Sequence, residues 1–301
     1  MEVRIAVPAT LANLGPGFDI FALAIELQNE VRATRTGEQG ITIDPGPGAP
    51  RELHDPAKNL VLRAYTATCA ELGVLPDGVH IACVNRIPFR RGLGSSAAAA
   101  LSGTLCATAL NGAPWDEQRI ISWVAELEGH PDNAAAALLG GLVVVVPDEP
   151  AVTMDVPEEL RAVVYVPEVE LSTALARRVV PAAFTRDDAV FNASRCALMV
   201  RAMALRDWET LGIAMQDRWH QPPRTALFPA LPELISAALE GGARGAAMSG
   251  AGPSVVALTD GDPEPVEAAM AAVASMHGIG GEAIVSGVRN WGARVDVFAS
   301  Q

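Results

Sequence analysis

Val3, Ile5 and Val7 alternate with polar or small residues and the alternation stops at Pro8, which predicts an opening strand with one buried face. A turn-rich loop over 9–19 holds Asn13, Gly15, Pro16 and Gly17, and residues 21–31 return to strand-like apolar character. Five prolines and glycines between Pro45 and Pro50 make 44–56 a loop. Next come a helical period over 60–73, a strand over 79–84, and an alanine-rich helix over 95–110, opened by serine and closed before Asn111-Gly112. A second helix is expected over 115–128, and the β-branched run 140–146, ended by Pro147, suits a strand buried on both faces. The proline- and acid-rich stretch 147–159 reads as a linker. Beyond it the pattern predicts a strand over 162–166, a long helix over 189–211, a short helix over 234–240, and a glycine turn from 245 leading into a strand over 255–258. Helices and strands mixed without strict alternation predict an α+β fold in two domains, residues 1–153 and 154–301.

Half of the 301 residues are hydrophobic and 19% are charged, enough apolar material for one large or two modest cores. A net charge of -13 argues against a nucleic-acid or anionic-membrane surface, because those partners need clustered basic residues. Lys58 is the only lysine, so recognition of phosphate or carboxylate must rest on arginine, backbone amides or a metal. Cys69, Cys83, Cys106 and Cys196 lack CxxC spacing and lie in apolar segments, which predicts buried reduced thiols. The first residues carry no basic region followed by an apolar stretch, and no run reaches the roughly 18 apolar residues of a membrane span, so a cytoplasmic location is expected.

The strongest chemical signal is PFRRGLGSSAAAALS over 88–102, where Gly92 and Gly94 precede two serines and a helix. Glycines let the backbone approach a phosphate, and the first helical amides with the helix dipole attract the anion. Ser95 or Ser96 would cap the helix or offer a hydroxyl to Mg²⁺. An ordinary capped helix after a tight turn explains this segment equally well, and no GxxxxGK[ST] loop is present. A second glycine turn, GAAMSGAGPS over 245–254, has the same capacity and is more often a structural bend. The stretch ELEGHPDN over 126–133 gathers carboxylates, a histidine and an amide; it offers either a magnesium ligand or a solvated loop after a helix. Thr173 and Arg177 share a face if their segment is helical. Arg224 follows the rigid run His220-Gln221-Pro222-Pro223, and a guanidinium held there suits a carboxylate, although a surface role is the commoner one for any single arginine.

Taken in order, these segments resemble the GHMP kinases, the family named for galactokinase, homoserine kinase, mevalonate kinase and phosphomevalonate kinase. PFRRGLGSSAAAA is the central match. PATLANLGPGFDIFALAI, EGHPDNAAAALLGGL, VPEVELSTALARRVVP, FNASRCAL and AAMSGAGPSVVAL fit the members that phosphorylate homoserine, and the likeness spans nearly the whole chain. The resemblance implies an amino-terminal α/β domain with the phosphate loop, a carboxy-terminal ferredoxin-like domain, a cleft between them, and a homodimer. It implies ATP and Mg²⁺ as cofactors and L-homoserine as the small-molecule substrate. Gly92, Leu93, Gly94, Ser95, Ser96 and Ala97 would cradle the triphosphate, flanked by Pro88, Arg90 and Arg91, with Asn59 at the adenine pocket. Ser96 and Glu126 would hold the metal, with Glu128 as the alternative. Asn13, Asp19, His130, Asn133, Thr173, Arg177, Arg224 and Gly250 would line the substrate site, with Arg177 and Arg224 on the carboxylate and Asp19 on the ammonium or hydroxyl.

Asn133 stands where mevalonate and galactose kinases carry an aspartate base, which argues against a dedicated carboxylate base here. Asp132, on a strand or turn, is expected to point away from Asn133. HQPPR departs from the family's glutamate, proline and aromatic residue before the arginine, and a neutral Gln221 would weaken a contact to an amino group. A kinase for another small alcohol and a catalytically silent binding protein of the same fold are the competing readings.

Overall fold

Alternation carries the first strand further than Pro8. The computed structural model describes residues 1–76, 78–113 and 115–299; Ser300 and Gln301, at the end of the expected 154–301 unit, lie outside the described residues. In it β1 (Glu2–Ala12) continues through Pro8 and pairs with β2 (Phe21–Arg35) along its length, with a register shift between Pro8 and Thr10. On its other side β1 is paired only over Glu2 to Ala6, so the missing proline N–H leaves no ladder bond unmade. Then follow β3 (Ile41–Asp44), α1 (Leu60–Glu71), β4 (Val79–Val84), α2 (Ser95–Leu110), α3 (Glu117–Glu128), α4 (Asp132–Leu139), β5 (Leu142–Val144) and β6 (Val152–Met154). The second half holds β7 (Arg161–Pro167), α5 (Thr173–Arg178), α6 (Arg186–Leu205), α7 (Leu211–Ala214), α8 (Gln221–Arg224), α9 (Leu231–Glu240), β8 (Gly245–Met248), β9 (Val255–Thr259), α10 (Glu264–Met276), β10 (Gly281–Gly287) and β11 (Arg294–Phe298).

The larger sheet runs β11-β1-β2-β4-β3, with β5 joining β2 and β6 joining β5. Residues on both sides of position 153 therefore share it, since β6 lies within the expected linker and β11 returns from the far end of the chain. The smaller sheet runs β10-β7-β9-β8, antiparallel throughout, which in chain order is the 4-1-3-2 arrangement of a ferredoxin-like unit. Residues along β7 alternate between two cores: Ala162, Val164 and Val166 join the large core, and Val163 and Tyr165 face the core under α9 and α10. That two-sided burial explains its unbroken apolar run.

The same pattern reading missed several elements and misplaced several ends. Residues 51–54 of the expected loop form a 3₁₀ turn. The helix expected over 189–211 starts at Arg186, where Thr185 caps it by accepting from the Asp188 N–H, and ends at Arg206 in the left-handed region. Gly245–Met248 is strand rather than turn. β3, α4, β6, α7, α8, α10, β10 and β11 were not anticipated, and α5 only as a condition on Thr173 and Arg177. All four cysteines are unpaired, and burial pushes the Cys83 thiol up to about 12. Among the described residues no helix is long and apolar enough to cross a membrane.

Candidate active site

Three chain segments meet at one glycine, Gly250. Gly250, in the β8–β9 turn, presents its oxygen to the Asn13 side-chain amide at 2.8 Å and to Arg224 Nη1 at 2.9 Å, while its N–H donates to Ala12 O. The end of β1, α8 and the second glycine turn are thereby tied together. They enclose a cleft of about 700 Å³ whose other walls are the first glycine loop, the α3–α4 junction and α5.

The first glycine loop docks on the second. Gly92 sits at φ 75° with Ser249 Oγ donating to its carbonyl at 2.7 Å, and a Cβ there would run into Ser249 O. Gly94, at φ 71°, is the N-cap of α2 and offers no side-chain cap. The expected serine cap is therefore absent: Ser95 and Ser96 lie inside the helix, and its first amides face the cleft without a side-chain partner. Together with the dipole of a 16-residue helix, this end attracts an anion.

At the α3–α4 junction, Asp132 does not point away from Asn133. Both lie in the first turn of α4, and Asp132 Oδ1 accepts from the Asn133 N–H at 2.8 Å, from Asn133 Nδ2 at 3.3 Å and from His130 Nδ1 at 3.1 Å. Thr10 donates to Asn133 Oδ1 at 2.7 Å, so the amide orientation of Asn133 is set from both sides. The Asp132 hydrogen bond raises the pKa of His130, against the opposing effect of burial.

The opposite pole is built on α5 and α8. α5 is helical, which puts Thr173 and Arg177 on one face, and both line the cleft. Arg177 grips Asp19 with two hydrogen bonds, and Arg177 and Arg224 both approach the ring of Phe18. Arg224 is 1% exposed; burial, with Arg177 nearby, lowers its pKa to about 10 and leaves it charged at neutral pH. His220 joins it to the loop after β1: Arg224 Nη1 lies 3.0 Å from His220 Nδ1, and His220 Nε2 lies 2.6 Å from Gly15 O. A guanidinium only donates and a carbonyl only accepts, so the neutral Nε2–H tautomer satisfies both contacts.

Burial depresses His220 from 6.5 to about 4, with Arg224 adding to the effect and Asp217 opposing it. The unfolded chain binds a proton there between those values and the folded chain does not, so stability falls as pH drops from 6.5 toward 4, at about 1.4 kcal/mol per unit. His130, raised by Asp132, contributes in the reverse sense: its stabilisation is full below 6.5 and is lost as pH rises through its folded value. Thermal melts of the wild type across pH 4.5–7 should show the acid-side decline, and His220→Asn should flatten it. An unchanged slope in the variant would assign the decline to other groups.

The cleft takes in Asn13, Asp19, Arg90, Gly92, Gly94, Ser95, Ser96, Ala97, His130, Asn133, Thr173, Arg177, Arg224 and Gly250 from the expected set. It leaves out five. Asn59 is the buried N-cap of α1, its Oδ1 accepting from the Val61 and Leu62 N–H groups and its Nδ2 donating to Leu53 O. Leu93 is core, Pro88 stands off the cleft wall, and Arg91 donates to Glu168 O while pairing with Glu170. Glu126 is exposed and Glu128 lines the cleft in its place. Two residues apart on a helix, they face opposite ways; Ile121 and Val124 bury the face that Glu128 continues, a spacing legible in the sequence. Gln221 also stays out of the cleft: its Oε1 accepts from the Met248 N–H at 2.8 Å, pinning α8 to β8. Phe18 and Glu170, absent from the expected set, do line it.

Residues 59–141 match the family model for the GHMP kinases N terminal domain and residues 199–276 that for the GHMP kinases C terminal. A homoserine kinase of Caldicellulosiruptor bescii is 41% identical over 261 residues, covering 86% of this chain and 84% of its own. A homoserine kinase of a Synechococcus species is 39% identical over 98% of both chains. The crystal structure of homoserine kinase from Cytophaga hutchinsonii superposes with a TM-score of 0.87 at 29% identity, covering 98% and 97% of the two chains. With an uncapped helix start, an oriented Asn133 and a paired arginine pole in one cleft, and with these relatives along its full length, the chain belongs to the homoserine kinase family of the ATP-using GHMP kinases.

Proposed function

We propose that the enzyme transfers the terminal phosphate of ATP to the side-chain hydroxyl of L-homoserine, giving O-phospho-L-homoserine for threonine biosynthesis. The observation that carries this reading is the polarity of the cleft. An anion-attracting helix start stands at one end, Asp19, Arg177 and Arg224 stand at the other, and Asn133 lies between. A small amino acid held by its ammonium and carboxylate at the arginine end would direct its hydroxyl toward the triphosphate.

Gly92 and Gly94 to Ala97 cradle the phosphates through backbone amides. Arg224 receives the substrate carboxylate. Asn133, with its oxygen engaged by Thr10 and one amide N–H by Asp132, turns its other amide N–H toward the hydroxyl oxygen and aligns it. No side chain need act as a strong base, because phosphoryl transfer depends mainly on positioning and on neutralising charge. Ser96 and Glu128 offer hard oxygen donors in the cleft, and among the described residues no three His, Cys, Asp or Glu side chains gather into a metal cage. That donor set fits Mg²⁺ shared with nucleotide phosphates and water. Bound there, the ion would neutralise charge on the phosphates. Glu128→Gln should then lower turnover by about tenfold or more and raise the magnesium requirement, while Glu126→Gln leaves both unchanged. The opposite ranking in a magnesium titration would return the ligand role to Glu126.

ADP release from Mg-ATP, followed with homoserine, threonine, serine, mevalonate and galactose at equal concentrations, tests the substrate. Turnover on homoserine alone is expected. Turnover on another alcohol would keep the kinase and replace the substrate, and no turnover with ATP still bound would make the chain a binding protein.

A further inference from the structure

Asp19 and Arg177 come from opposite walls of the cleft, 158 residues apart in the chain, and join as a fork: Nη1 to Oδ2 at 2.9 Å and Nη2 to Oδ1 at 2.6 Å. Each is about one-third exposed, toward the cleft. Asp19 is held in place by its backbone: φ is 59°, and its N–H donates to Asn13 Oδ1, the same amide that is anchored on Gly250. Arg224 differs in kind. Its donors go to Ala176 O, Gly250 O and His220, all neutral acceptors, and among the described residues it makes no ion pair. One pole of the cleft therefore holds a standing positive charge beside a pair that neutralises itself.

We propose that the Asp19–Arg177 pair is an exchange gate for zwitterions: the substrate ammonium takes Asp19, the freed Arg177 joins Arg224 on the substrate carboxylate, and every charged group is left in contact with one of opposite sign. The gate rests on the reading of the substrate as a hydroxy amino acid and adds how its rivals are refused. A hydroxy acid without the ammonium must either leave the fork shut and use Arg224 alone, or free Arg177 and strand Asp19. An amino alcohol strands Arg177 instead. Discrimination thus comes from an internal competitor as well as from a missing contact, since a ligand shifts this equilibrium only through its preference for the open form.

The sign of one substitution separates this from a merely structural pair. Asp19→Asn keeps the shape and tolerates the positive φ, and it removes the competitor for Arg177. Calorimetric titration of the full chain with ADP present should show 4-hydroxybutanoate binding tighter by about fivefold in the variant, the scale set by a partly exposed ion pair. L-Homoserine should bind weaker by about tenfold for loss of its ammonium partner. In an Arg177→Gln background, Asp19→Asn should give no gain for 4-hydroxybutanoate. If Asp19 only orients Arg177, the single variant weakens both ligands, and that result overturns the gate, as does a gain that persists without Arg177. Turnover of homoserine by the wild type is read on the same preparation: its absence sinks the substrate reading, while the 4-hydroxybutanoate titrations still decide the gate.

Discussion

Replacing Arg224 by alanine is expected to raise the Michaelis constant for the amino acid by about a hundredfold and to leave that for ATP within about twofold. The guanidinium is almost fully buried, and its three inward bonds, to Ala176 O, Gly250 O and His220 Nδ1, hold it at the arginine end of the cleft. Because it is already desolvated, a carboxylate arriving there meets a charge that water does not screen. The same burial makes the substitution costly to the fold, since Ala176 O and His220 Nδ1 lose their donor and Gly250 O keeps only Asn13; stability should fall by about 3 kcal/mol or more. Lysine should not restore the amino-acid affinity, because one ammonium cannot reproduce the fork that reaches Ala176, Gly250 and His220 together. Initial rates with each substrate varied in turn check the split, and a selective rise in the ATP constant would remove Arg224 from the amino-acid end.

Gly94→Ala should lower kcat/KM by about a hundredfold, because misplacement near 1 Å in an aligned site costs that much. At φ 71° the new Cβ would strike Thr10 Oγ1 and approach Asn133 Oδ1 at 3.1 Å, the two atoms that are themselves joined by the hydrogen bond orienting Asn133. The collision thus moves the phosphate loop and the hydroxyl-aligning amide at once. Gly112→Ala is the control: it has φ 60° but open space around its Cβ, so it should cost only the local strain of about 1 kcal/mol and no activity. Equal losses of activity in the two variants would show that backbone strain, rather than the Thr10–Asn133 contact, is responsible.

Several parts of this site were readable before any coordinates. α2 and β4 have the expected ends, because alanine content, Asn111-Gly112 and the short apolar run act within a few residues of where they stand. Gly92 and Gly94 were singled out for a phosphate loop, and both do adopt positive φ. Asn59 shows the limit of the same reasoning. A family position suggested the adenine pocket, while an asparagine directly before a helical run is by local chemistry a cap, and in the structure its side chain is spent on that task. The choice between Glu126 and Glu128 was also open to a local argument, since the burial of Ile121 and Val124 orients α3.

Local pattern and motif order were enough for α1, α2, α3, α9, for most of β1, β2, β4, β7 and β9, and for the family, because each of these rests on neighbours a few residues apart or on motifs in a fixed order. The tertiary structure alone decided that Pro8 is harmless where β11 stops short, that Asp132 and Thr10 together orient Asn133, that Gln221 serves β8 rather than the substrate, and that Asp19 closes on Arg177. Each of these last depends on which faces dock across a hundred or more residues or on what a neighbouring strand leaves unpaired. That is settled by the summed burial of two cores and the pairing of every enclosed polar group, and no local pattern encodes it.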